Sequence, residues 1–111
     1  MDSILTSVKK LLGIEEDYTH FDTDIIMHIN SALFNLNQLG VGPTTGLVIT
    51  DKTTEWSDLL ATRLDLEAVK SYVYLKVRIL FDPPGTSFVL ESINKQIEQM
   101  EWRITNQAEE E

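Results

Sequence analysis

The sequence predicts an all-α fold, a small four-helix domain arranged around one long buried helix. Three observations point that way. Residues 64–85, LDLEAVKSYVYLKVRILFDPPG, repeat apolar side chains at helical spacing over more than half of the circumference. Three further stretches repeat apolar residues every three or four positions, and none has the alternation of a paired sheet. The chain has 111 residues and no cysteine, so one modest core must hold it without cross-links.

The first helix starts after Asp2 or Ser3, either of which can cap it, and its apolar positions are Ile4, Leu5, Val8, Leu11 and Leu12. Gly13 suits the left-handed residue after a helix, and Ile14 can pack back on the last turn. Glu15, Glu16 and Asp17 form a solvated acidic link. In the second helix, Asp22 is the expected N-cap, flanked by Phe21 and Ile26 in hydrophobic-staple spacing. Ile25, Ile29, Ala32, Leu33 and Leu36 share one face, and Asn30, Asn35, Asn37 and Gln38 lie away from it. Gly40 and Val41 close the helix.

Residues 41–54, VGPTTGLVITDKTT, read as an irregular loop. Leu47 to Thr50 has the composition of a short strand, but a lone strand needs a neighbouring subunit or loop packing to satisfy its backbone. Trp56, Leu59 and Leu60 fit a helical turn or two, with Trp56 plugging the edge of the core. The central helix is expected to start at Asp65 and to bury Leu66, Val69, Val73, Val77 and Leu80, with Tyr72, Leu75 and Ile79 widening the stripe. Asp82, Pro83 and Pro84 stop it in a rigid corner, and Gly85 frees the turn.

Thr86 or Ser87 then caps a long helix reaching about Asn106. Val89, Ile93, Ile97, Met100 and Ile104 form a narrow seam, while Glu98, Gln99 and Glu101 keep the other faces polar. Such a length exceeds what a body this small needs for cover, so the far half, with Trp102 off the seam, is expected to project toward a partner. Residues 1–107 read as one domain, and 108–111 as an acidic tail.

Composition narrows the function. The net charge is −9, from 18 acidic and 9 basic residues, so there is no basic footprint for gripping a nucleic acid. Lys9, Lys10 and Arg63 are isolated basic points. No apolar run is long enough for a membrane helix, and the opening MDSILTSVKKLL lacks the order of a signal peptide, so a cytosolic, soluble product is expected. His20, Asp22, Asp24 and His28 are the one group with metal-ligand chemistry, and they would suit a small metal-dependent hydrolase. Capping and first-turn roles explain the two carboxylates more simply. Gly40-Val41-Gly42-Pro43 lacks the helix and lysine of a phosphate loop. The expectation is therefore no enzyme, no cofactor and no metal, and the simplest remaining alternative is a generic helical interaction module.

The run Tyr72-Val73-Tyr74-Leu75-Lys76-Val77-Arg78-Ile79-Leu80-Phe81-Asp82-Pro83-Pro84, followed by Ser87-Phe88, resembles the signature of the phage head–tail connector (adaptor) proteins of long-tailed phages and prophages. The likeness takes in the opening helix, the Asp22-to-Gly40 helix and the Trp56-Ser57-Asp58-Leu59-Leu60 turn. It implies a structural protein that forms a ring, commonly of twelve subunits, under the portal, with the virion as its place and the host cytoplasm as the site of assembly. The ring would extend the DNA channel, let DNA pass without specific binding, and dock a stopper or tail-completion protein. The portal or subunit interface would map onto Ile93, Ile97, Met100, Trp102, Arg103 and Ile104 with the tail, and the 41–54 loop would face neighbouring subunits. The acidic surface would suit a channel wall that repels phosphates, or would serve solubility alone.

Overall fold

The computed structural model describes residues 3–41, 46–59 and 66–109, with side chains for all of these except 66–67 and 107–109. The described chain is all-α, with helices α1 (Ile4–Leu11), α2 (Asp22–Gln38), a short α3 (Trp56–Leu59), α4 (Leu66–Phe81) and α5 (Ser87–Glu109). Asp2, Leu60, Arg63, the expected cap Asp65, and the last two acidic residues lie outside the described residues.

Ser3 caps α1, its Oγ accepting from the Thr6 amide at 3.0 Å. Gly13, at φ 80°, ends α1. The Gly13 amide donates to the Lys10 carbonyl and the Ile14 amide to the Lys9 carbonyl, the paired bonds of a Schellman turn. Gly40, at φ 92°, does the same for α2, with Val41 donating to the Leu36 carbonyl and burying its own side chain. Both glycines occupy left-handed backbone that a Cβ would strain.

The start of α2 differs from the expectation. Phe21 is the N-cap residue, Asp22 is already helical, and no side chain caps the end. The Asp22 carboxylate is drawn elsewhere, into an ion pair with Lys9 Nζ at 2.9 Å. It still lies in the first turn beside Asp24, where negative charge suits the dipole.

Residues 47–50, part of the expected irregular loop, form no strand despite their strand-like composition. Instead the Asn30 side chain acts as their partner: Nδ2 donates to the Ile49 carbonyl at 3.0 Å, and Oδ1 accepts from the Ile49 amide at 2.8 Å. One carboxamide thus supplies both bonds of a strand pairing and seats Ile49 in the core. Nearby, the Ile4 amide donates to the Thr54 carbonyl at 2.9 Å, and Ser3 and Glu55 form an isolated antiparallel bridge. Trp56 does plug the core edge. It is buried, its Nε1 donates to Ser7 Oγ at 3.0 Å, and Lys70 Nζ sits 5.8 Å from the ring centroid.

α4 is the hub, packing against α1, α2 and α5. Val69, Tyr72, Val73 and Val77 are fully buried, and Leu75 nearly so. On α4 and on α1 one residue assigned to the apolar stripe is exposed instead, Leu80 and Leu11 respectively. Each stands in the final turn of its helix. In that turn of α4 it is Phe81 that points inward, edge-on to Phe21 with centroids 5.3 Å apart.

The corner forms as expected. The Asp82 amide closes α4 on the Arg78 carbonyl at 2.8 Å, and Thr86 opens α5, its Oγ1 accepting from Val89 and its carbonyl from Leu90. Gly85 has no left-handed φ and open space around it, so the prolines make this turn without help from the glycine.

Candidate docking surface

α5 runs antiparallel to α4, and its apolar seam was expected to await a partner. The structure corrects this. Ile93, Ile97 and Ile104 are buried in the protein's own core, and Met100 packs against it. The seam has the three- and four-residue spacing that matches the buried face of α4, so the two helices satisfy one another. α5 has 23 residues, about 34 Å at 1.5 Å per residue, against a longest molecular dimension of 38 Å. It lies along the body and does not project from it.

A second correction concerns Glu101, expected on a polar outer face. It is half-buried and accepts a 2.7 Å hydrogen bond from the Tyr72 hydroxyl. Burial, reinforced by the neighbouring carboxylate, pushes the Tyr72 phenol well above its ordinary value of 10.0. A raised pKa means the folded state holds this proton more tightly than the unfolded chain. The stabilisation is complete below about pH 10 and is lost as pH rises through that value toward the folded pKa. Tyr72→Phe is expected to cost about 1–2 kcal/mol at neutral pH and to abolish the alkaline loss. Urea unfolding across the alkaline range checks both; an unchanged alkaline slope would remove Tyr72 as its source.

Of the six expected interface residues, two face solvent: Trp102, 71 % exposed, and Arg103 beside it. Of the corner residues, Asp82 and Pro83 are exposed and Pro84 half-buried. The four possible metal ligands do not converge. Asp22 pairs with Lys9, and His20 stacks edge-on against Phe21 at 4.8 Å. His28 faces the Phe81 ring at 6.5 Å. Among the described residues no group of three or more His, Asp or Glu is placed to hold a metal.

Among the exposed apolar residues that sequence reasoning passed over are Met27 and Phe34 on α2, 57 % and 63 % exposed. They lie seven residues apart on the face opposite the isoleucines. Two apolar residues one heptad apart, off the core stripe, were the available signal. Phe88, at the start of α5, is 81 % exposed, and Val89 is exposed beside it.

This arrangement offers surfaces for other proteins and no assembled reaction centre among the described residues. The protein-family comparison agrees: a family model described as phage connector protein matches residues 4–111. The chain belongs to that family. No curated protein and no solved structure matches this connector. Membership makes it a structural component of the phage virion that acts by contacting other head and tail proteins. Among its described residues, no helix is long and apolar enough to cross a membrane.

Proposed function

We propose that this connector assembles as a ring on the phage portal, extends the channel through which DNA leaves the head, and receives a stopper or tail-completion protein on its far side. It works by contact alone and performs no reaction. The observation that carries the docking role is Trp102, a large apolar side chain left in solvent beside Arg103 on the longest helix. Tryptophan and arginine are the residue types that most often anchor protein interfaces. DNA passes the ring without specific binding, in keeping with the net charge of −9. The virion is its final location, and assembly takes place in the host cytoplasm.

Truncating residues 98–111 is not a clean test of docking, because it would also remove Met100, Glu101 and Ile104 from the core. Trp102→Ala is cleaner. It is expected to leave the melting temperature nearly unchanged and to weaken capture on portal rings at least tenfold, about 2 kcal/mol for a central anchor. Full capture by the variant, or a melting temperature lowered as far as by a core truncation, would overturn the assignment of Trp102 to docking.

A further inference from the structure

Two exposed apolar features lie at different places on this chain, and neither carries a charge among its described residues. The first is a shallow groove on α2, lined by Thr23, Ile26, Met27, Ser31 and Phe34 among others. Among the described residues its lining contains no ionisable side chain, although 24 % of the chain is charged. The second is a knob at the proline corner, where Leu80, Phe88 and Val89 are all exposed. Pro83 and Pro84 hold the backbone between them, so little ordering cost remains on binding. α2 and α5 pack against α4 without packing extensively on each other, which leaves groove and knob free at once.

Charge argues that the occupant is a second copy. Two bodies of net charge −9 repel over most of their surfaces, and like charges brought together at an interface cost several kcal/mol. An uncharged groove is where such a body can be approached closely. Methionine and aromatic side chains are also the ones enriched at interface cores. A foreign partner would have to bring its own knob, whereas every copy of this chain already carries one.

We propose that the Leu80–Phe88–Val89 knob of one copy seats in the Met27–Phe34 groove of the next. Knob and groove are different patches, so the contact is heterologous and repeats head to tail, closing into a ring where the rotation allows. This supplies contact faces for the ring proposed above and rests on that reading.

The chain has no cysteine, so introduced thiols report without background. Phe34→Cys/Phe88→Cys, Phe34→Cys and Phe88→Cys are oxidised mildly at rising concentration, with and without portal rings, and read on non-reducing gels. Both positions are exposed, and circular dichroism is expected to match the unmodified chain. The double variant should give a ladder of covalent oligomers at least tenfold more abundant than any product of either single variant, in one condition or both. Dimers from Phe34→Cys alone would mean that α2 meets α2 and would overturn the proposal, as would the absence of a ladder in both conditions. Portal capture without a ladder would sink these faces only; a ladder without portal capture would sink the docking role and leave them standing.

Discussion

Val73→Asp is expected to leave the chain unfolded under conditions where the unmodified protein is fully folded. Val73 is completely buried midway along α4, the helix that α1, α2 and α5 all pack against. An aspartate there would have no cationic partner among the surrounding apolar side chains. Burying such a charge, or forcing its protonation, costs several kcal/mol, a large part of the roughly 5–15 kcal/mol that holds a domain together. Val73→Ala isolates the packing component and should cost about 2 kcal/mol. Leu80→Asp on the same helix is the informative control. Leu80 is exposed, and its replacement should change stability by less than about 0.5 kcal/mol. Far-UV circular dichroism with urea unfolding measures all three. A folded Val73→Asp protein, or a Leu80→Asp protein as damaged as Val73→Asp, would contradict the burial assigned to α4.

Val73 and Leu80 have equal standing in the apolar periodicity of the sequence, and this marks the limit of what periodicity can say. Spacing reports which side chains share a face. It does not report which side chain of a helix's last turn meets the neighbouring elements; at the end of α4 that is Phe81, which packs on Phe21 and leaves Leu80 exposed. The turns were more legible, since their chemistry is local: Gly13 with Ile14, Gly40 with Val41, and Asp82-Pro83-Pro84 each act within a few residues. Asn30 is the opposite case. Its carboxamide serves the backbone of Ile49, 19 residues away, and nothing in the composition of α2 marks it for that task. The surface was misjudged for a related reason. The α5 seam looked available because its complement on α4 is a matter of packing between helices. Met27 and Phe34 drew no notice because the isoleucine stripe already accounted for α2. Trp102 was legible because it departs from the seam on its own helix.

Lys9 shows what a distant tie contributes, and Lys9→Met should be the largest loss caused by any polar-to-apolar replacement in this chain. Lys9 closes α1 and is 2 % exposed. Its Nζ donates to the Glu16 carbonyl at 2.9 Å and to the Tyr18 carbonyl at 2.8 Å, and pairs with Asp22 at 2.9 Å. An ammonium has three protons to give, and here three oxygens face it. The irregular link between α1 and α2 therefore owes two of its carbonyl partners to one side chain, which also joins it to the first turn of α2. Methionine keeps the apolar stem but leaves two carbonyls and a carboxylate without their cation. The expected cost is about 3 kcal/mol, at the lower end for a broken buried pair, because Asp22 is partly exposed and water can reach it. Lys9→Arg should recover less than half of this, since a planar fork cannot reproduce three converging contacts. Asp22→Asn added to Lys9→Met should cost less than the sum of the two single changes, the mark of a direct coupling. Urea unfolding of the four proteins completes the cycle. Additive costs, or a Lys9→Met protein within about 0.5 kcal/mol of the unmodified chain, would show that the link is held by its own packing and not by this lysine.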